Sequence, residues 1–397
     1  RKPRILYLND IHHQVRTTTE TSVDKVLSTS RIIIESKDRH EKRLRQQATD
    51  WFYIHTEDVQ SDKEKEAFTF AEPFETETCK AMHPWQTYSF PTCNLLHEYQ
   101  IQFEDVLFQK ILKINYGFFR DIWRLQVLPP THHQYVVLKT LRTDKQFDEF
   151  NADRHRRDAV AMERLTSSPN VVNIYGHCGN SQFTEYSGEG DVYDAVFQPR
   201  KQPLTKQDAI QIALQVATGV ADVHNLETNL NNSNGVEGRR QGAPMAHTDI
   251  APTQFIRIDS FYKLNDFNRV RFIRWNNETN QPCPYQVMNN PGEFRSPEEY
   301  LYGNQTEKVD IYSMGNVFYV LLTSTWPWDG MKEEDAQKNV IEGKRPFVNA
   351  SIIESTHPVD KALLKAMEMC HEQDPNQRAS AEEVLQFLTN EAKKFTR

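Results

Sequence analysis

No stretch of this sequence runs to the roughly 18 consecutive apolar residues of a membrane-spanning helix. A surplus of positive charge is also missing. Lys and Arg number 47 against 55 Asp and Glu, a net charge of -8, so no overall basic field draws the chain to nucleic acid or anionic lipid. The five cysteines, Cys79, Cys93, Cys178, Cys283 and Cys370, are too few and too scattered for a disulfide scaffold, and none forms a CxxC metal knuckle. Cys79 and Cys93 are nearest each other and bound an aromatic, Pro-containing stretch, ETCKAMHPWQTYSFPTCN. A disulfide between them can staple it in an oxidising compartment, and two reduced thiols in a cytosolic loop are the alternative. Sequons at Asn231, Asn277, Asn304 and Asn349 lean towards the oxidising compartment. The sequence opens on Arg1 rather than Met, so a fragment, with a signal peptide or membrane anchor upstream of Arg1, is an expectation.

What is present is ample apolar material: 38% hydrophobic residues over 397 positions, enough for real cores and two or three domains. Residues 1–105 are polar and irregular, with a short strand expected in RKPRILYLND, a charged helix in SKDRHEKRLRQQATDWFYIH and a solvated charge run in SDKEKEAF. They read as an extension packed on the domain that follows. From Val106 the apolar positions alternate, through KILKINYGFFRDIWRLQVL and again in YVVLKTL, which predicts three successive antiparallel strands. FDEFNADRHRRDAVAMERLTSS then carries helical spacing through Phe150, Ala159, Met162 and Leu165, with SSPN as its stop. Beyond about Asp191 the periodicity is mostly helical, in LTKQDAIQIALQVATGVADVH, KVDIYSMGNVFYVLLTS, VDKALLKAMEMC and SAEEVLQFLTNEAKKF. The expected fold is α+β and bilobal: a small antiparallel β lobe with one helix over residues 106–186, and a larger helical lobe over residues 191–395.

Four separated fragments carry the chemistry. Lys139 lies in the apolar strand YVVLKTL, where a buried cation needs an acidic partner, and Asp158 on the next helix can be that partner. His247, Thr248 and Asp249 in AHTDIAPTQFI follow a long helix and precede a short strand. Asp266 in YKLNDFNRV follows the next strand, in the place for a metal ligand. A cation, a carboxylate for an attacking hydroxyl and a metal-holding acid are the parts that phosphoryl transfer needs.

These fragments resemble the protein kinase family over residues 106–395. VVLK is similar to the family's VAIK strand, HTDIAPTQ to its HRDLxxxN loop, NDFN to its DFG, and Ser296, Pro297 and Glu298 to its APE. The frame agrees: VDIYSMG resembles the family's D-x-W-S-x-G helix with Asp310 buried at its start, and DPNQR offers Arg378 as partner for Glu298. FTEYSGEGDVYD resembles a hinge, with Thr184 as gatekeeper beside Glu185 and Tyr186. The resemblance implies ATP and Mg2+. Asp249 is the implied catalytic acceptor, Asp266 and Gln254 hold the metal, and Lys139, Asp158, Gly117, Thr184, Glu185 and Tyr186 line the nucleotide site.

Departures from the family pattern matter as well. NYGFFR keeps only Gly117 of the glycine-rich loop, placing Asn115 and Arg120 in the outer positions, which reshapes the grip on phosphate and lets Arg120 compensate by charge. Asp158 stands for a Glu, Thr248 for the arginine that receives an activation-loop phosphate, Ala251 for a catalytic-loop cation, and Gln254 for an Asn. Asn268 stands for the Gly of DFG, where Asn tolerates unusual backbone angles. The loss at Thr248 implies a constitutively poised domain. The D-x-x-x-x-Q-F form of Asp249, Gln254 and Phe255 is similar to divergent secretory-pathway kinases acting on extracellular proteins or glycans. The expected activity is a Ser/Thr-type protein kinase with a protein or glycan hydroxyl as acceptor, in the secretory lumen or membrane-anchored, with the cytoplasm as alternative. A pseudokinase acting as a binding or scaffolding module and a glycan kinase are the other two readings. The insertion NLETNLNNSNGVEGRRQGAP is a surface loop, and the pairs His12, His13 and His132, His133 are surface residues without companion ligands.

Overall fold

The computed structural model describes residues 78–98, 110–126, 135–198, 204–226 and 242–395. The chain divides into two units, Arg1–Thr69 and Phe70–Arg397, and every described residue belongs to the second. The strand, helix and charge run expected before residue 69, the four paired histidines, and residues 227–241 of the insertion lie outside the described residues.

The described chain opens with strand β1 (Cys79–Ala81) and helix α1 (Cys93–Glu98). The small lobe follows as β2 (Ile111–Tyr116), β3 (Arg120–Gln126), β4 (Tyr135–Leu141), helix α2 (Glu149–Arg164), β5 (Ile174–Cys178) and β6 (Ser181–Glu185). Its five strands form one antiparallel sheet in the order β2-β3-β4-β6-β5, as the alternating apolar positions require. Ile111, Leu125, Val136, Leu138 and Phe183 fill its core. Helix α2 starts where the Asp148 side chain accepts from the Asn151 N–H, carries Glu149 in its first turn and Arg164 in its last, and so is capped in the sense its dipole favours.

The large lobe contains α3 (Val192–Phe197), α4 (Lys206–His224), β7 (Met245–Ala246), β8 (Phe255–Ile258), β9 (Phe261–Leu264), β10 (Arg271–Phe272), β11 (Arg274–Asn276), β12 (Gln281–Pro282), α5 (Pro297–Tyr300), α6 (Lys308–Thr323), α7 (Glu333–Ile341), α8 (Ala350–Ile353), α9 (Pro358–Cys370) and α10 (Ala381–Phe395). Helices α4, α6, α9 and α10 pack around one core that includes Ile210, Val216, Met314, Phe318, Leu363 and Leu388. Helix α6 is buried on all sides from Val309 to Leu322, a pattern only a central helix can carry. It meets α9 at Gly315, where a Cβ would sit 2.7 Å from the Cys370 Cβ and from the His371 ring, so glycine alone permits this approach. The bilobal α+β fold expected from the sequence is the fold observed.

Two disulfides are present, and neither is the expected Cys79–Cys93 staple. Cys79 pairs with Cys283, and Cys93 with Cys178, while Cys370 is buried and free. Strand β1 pairs with β11, which carries Cys79 towards Cys283 in the large lobe. At the other end Thr92 bonds the His177 carbonyl through its N–H at 2.8 Å and brings Cys93 to Cys178 in the small lobe. Sequence proximity was the wrong guide because β-pairing between distant segments decides which sulfurs meet.

Packing also fixes a pH response. His371 is 2% exposed, has no hydrogen-bond partner on either ring nitrogen among the described residues, and its ring lies tilted 4.8 Å from that of Tyr312. Burial first, then Arg345 and Arg378, pushes it down to about 3. A histidine whose folded value lies below its unfolded one stabilises fully above pH 6.5 and loses that contribution as pH falls towards 3, at about 1.4 kcal/mol per pH unit. Asp191, pushed up to about 6 by burial, acts in the opposite direction, so the informative quantity is a difference. Urea unfolding of wild type and His371→Phe at pH 7 and pH 5 is expected to show the variant losing less stability on acidification, by roughly 2 kcal/mol. Equal losses would contradict a neutral buried imidazole.

Candidate active site

Lys139 sits in β4 opposite Ile122 of β3 and Gln182 of β6, 4% exposed. Its Nζ donates to Asn265 Oδ1 at 3.0 Å, beside Asp266. The expected ion pair between Lys139 and Asp158 is not formed. Asp158, fully buried, takes its ion pair from Arg120 at the start of β3, and its other oxygen accepts from the Phe267 N–H at 2.8 Å. Arg carries its charge further from the backbone and presents a planar fork, so it reaches the shorter Asp where Lys139 does not. Burial first lowers the Lys139 ammonium to about 8, with Asp266 opposing this and Arg120 adding to it.

Asp266 holds a left-handed backbone, φ 62 and ψ 69, and the Asn268 amide donates to its Oδ1 at 2.7 Å. The unusual angle thus falls on Asp266 itself, not on Asn268, where the sequence suggested it. Asp249 and Asp266 lie on loops that are cross-linked. His247 Nε2 meets the Asn265 carbonyl at 3.0 Å, the Thr248 hydroxyl donates to the Arg269 carbonyl at 2.7 Å, and the Asn265 N–H donates to the Gln254 carbonyl at 2.9 Å. Asp310, buried at the start of α6, anchors the same loop: its carboxylate accepts from the backbone N–H groups of His247 and Thr248 at 2.7 Å and meets His224 Nε2 at 2.9 Å. Thr248 needs that hold, because its φ is 58. The sequence placed both Asp310 and the Glu298–Arg378 pair; the latter forms with contacts of 2.7 and 3.1 Å.

Two arginines that sequence reading missed surround Asp249. Arg295 Nη2 donates to Asp249 Oδ1 at 2.7 Å while its Nη1 donates to the Thr248 carbonyl at 2.6 Å, and Arg269 Nε lies 3.9 Å from the same carboxylate. Burial alone would raise the Asp249 carboxyl, but Arg295 and then Arg269 outweigh it and hold the group below its ordinary value. Two cations from the segment between Asp266 and Glu298 thus stand beside Asp249, while the catalytic loop itself carries Ala251. The only sequence signal was an arginine immediately before Ser296.

The remaining expected positions fall out as follows. Gly117 closes the β2–β3 turn with its N–H donating to the Arg120 carbonyl at 2.8 Å, and an added Cβ would come no nearer than 3.8 Å to that oxygen. Neither a free N–H nor a steric need for glycine marks this turn. Thr184 is buried in β6 opposite Val137. The Glu185 carboxylate is held by Lys263 Nζ at 2.9 Å and by Asn173, so its side chain fastens β6 to the large lobe and is committed there. Tyr186 lies 5.6 Å from Tyr135, with Arg124 over both rings.

Hard oxygen donors at Asp266 and Gln254 suit Mg2+, which takes one or two protein ligands and completes its shell with phosphates and water. Among the described residues no group of three His, Cys, Asp or Glu forms a full protein cage, and such a site needs none.

A cation, a metal-type acid and an anionic carboxylate meeting between a β lobe and a helical lobe define a phosphotransferase-type architecture. Residues 125–388 match the family described as protein kinase domain, and the chain belongs to that family. Among known proteins it is similar to the serine/threonine-protein kinase VIK of Arabidopsis thaliana, 25% identical over 244 residues, 59% of this chain and 49% of that protein. It is also similar to serine/threonine-protein kinase 12 of Arabidopsis thaliana, 22% identical over 315 residues, 78% of this chain and 61% of that one. Mitogen-activated protein kinase kinase kinase 7 of Homo sapiens is 25% identical over 264 residues, 64% of this chain and 38% of that one. The chain spans less than two thirds of the length of each of these relatives.

Proposed function

We propose that this protein is an ATP-dependent phosphotransferase of the Ser/Thr protein kinase type, moving the γ-phosphoryl group of MgATP to a hydroxyl. The observation that carries this reading is the bonded chain from Lys139 through Asn265 to the Asp266 loop and on through His247 to Asp249. In it Asp249 orients the acceptor hydroxyl and takes its proton, which its anionic state allows. Lys139 positions the phosphates, and Asp266 with the Gln254 amide oxygen would hold Mg2+, which supplies charge neutralisation on the phosphates. Helix α2 is docked by protein contacts, through Asp158, through Arg157 Nη1 to the Val270 carbonyl at 2.6 Å, and against Trp85. This supports a constitutively poised site.

Two disulfides and the exposed sequon residues Asn277, Asn304 and Asn349 support a secretory-lumen setting, and with it an extracellular protein or a glycan as the hydroxyl acceptor. A membrane anchor before Arg1 belongs to the same reading. A non-catalytic binding module is the second reading, favoured by the turn at Gly117, whose N–H is already spent on Arg120. A thermal-shift titration separates the two. Millimolar MgATP is expected to raise the melting temperature by several degrees, and Asp266→Ala to abolish the metal-dependent part. No shift for wild type at any metal concentration would sink the catalytic reading.

A further inference from the structure

Arg120 and Lys139 lie on one face of the small-lobe sheet. Ile122 stands opposite Lys139, and Arg120 stands opposite Leu141, so the alternation of strands brings residues 120, 122, 139 and 141 to the same side as diagonal neighbours. Each cation is 4% exposed, and the Asp266 charge favours the cationic form of each. Arg120 spends Nη2 on Asp158, but its Nη1 is buried with no hydrogen-bond partner among the described residues. A buried guanidinium donor left unmatched is costly unless an acceptor completes it on binding.

We propose that Arg120 is a second phosphate-binding cation of the nucleotide site, with Nη1 as the donor to an ATP phosphate oxygen. This deepens the phosphotransfer reading and rests on it. The turn before Arg120 offers no free Gly117 N–H, so the grip that backbone amides would give is replaced here by a side-chain charge. Asp158 then has a different task from the expected one: it orients Arg120 and the Phe267 backbone, and Lys139 is left to Asn265 and the phosphates. Burial holds the Arg120 guanidinium below its usual value, at about 10, which still leaves it charged at neutral pH.

Calorimetric titration of the full chain with MgATP, MgADP and adenosine tests this, using wild type, Arg120→Gln and Arg120→Lys. The expected result for Arg120→Gln is a loss of MgATP affinity of about 10- to 100-fold, the equivalent of one charge-assisted hydrogen bond, with adenosine affinity within about twofold of wild type. Arg120→Lys is expected to recover part of the MgATP affinity. Retained adenosine binding shows that the variant is folded, and should Arg120→Gln not fold, the ATP-to-adenosine affinity ratio of Arg120→Lys decides, an unchanged ratio overturning the proposal. MgATP binding by Arg120→Gln equal to wild type overturns it too. So does a parallel loss of ATP and adenosine, which would make Arg120 only a support for helix α2. A wild type that binds no MgATP overturns the phosphotransfer reading as well, a result distinct from the other outcomes.

Discussion

Asp249→Ala is expected to bind MgATP within about threefold of wild type and to form ADP about 100- to 10,000-fold more slowly, the range a positioned general base contributes. The structure gives the reason for that split. Among the described residues Asp249 makes no bond to Lys139, Arg120 or Asp158: its oxygens accept from Arg295 at 2.7 Å and, as its one link to the metal-side residues, from Gln254 Nε2 at 3.1 Å. Its removal leaves Lys139 on Asn265 and Asp158 on Arg120 undisturbed. The anionic form that catalysis needs is held by Arg295 and Arg269, so Asp249→Asn, which keeps the shape and loses the charge, is expected to be nearly as slow as the alanine variant. Single-turnover measurements of ADP formation at saturating MgATP check both variants. Turnover by Asp249→Ala near the wild-type rate would remove Asp249 from the reaction and with it the proposed mechanism.

How much of this was legible in the residues alone depends on the range over which each feature is decided. The large-lobe frame is spelled in short strings: Asp310 at a helix start, Arg378 after a turn, Glu298 after a proline. Each is placed by local structure, and each is where the strings put it. The sheet and helix α2 followed from period-two and helical spacing in the same way. Apart from the Glu298–Arg378 pair, what the residues did not show was partner choice over long distance. Asp158 had one obvious cation by family pattern, Lys139, yet a longer side chain on the neighbouring strand took it. Four cysteines admit three pairings, and nearness in sequence selected one that the β1–β11 ladder excludes. The cations around Asp249 come from 20 and 46 residues downstream, differences of 269 and 295 from 249, which no motif links to the loop.

Breaking either end of the Cys79–Cys93 segment is expected to cost about 2 to 5 kcal/mol of unfolding free energy, the usual worth of a disulfide closing a long loop. The bonds span 204 and 85 residues of sequence, so each removes much of the freedom of the unfolded chain. Their placement extends the effect from stability to function. One end of the segment is fastened at Cys283, beyond Asp266 in the segment that also carries Arg269 and Arg295. The other is fastened at Cys178 in the small lobe, where Gly176 lets Thr92 and Leu95 press directly on β5. Between them Trp85 packs edge-on against Phe272 at 5.2 Å, and the Gln86 amide donates to the Pro244 and Ile273 carbonyls at 2.9 Å each. The two lobes are therefore strapped together by thirteen residues between covalent anchors, 80–92, a restraint on lobe opening as well as on unfolding. Cys79→Ser is expected to slow phosphoryl transfer more than it weakens MgATP binding, because it frees the segment that holds Arg295 on Asp249. Cys93→Ser is expected to lower stability while loosening β5. Guanidinium unfolding of oxidised and reduced wild type beside the two variants checks the stability part. Coincident midpoints for the oxidised and reduced protein would show that the strap restrains nothing.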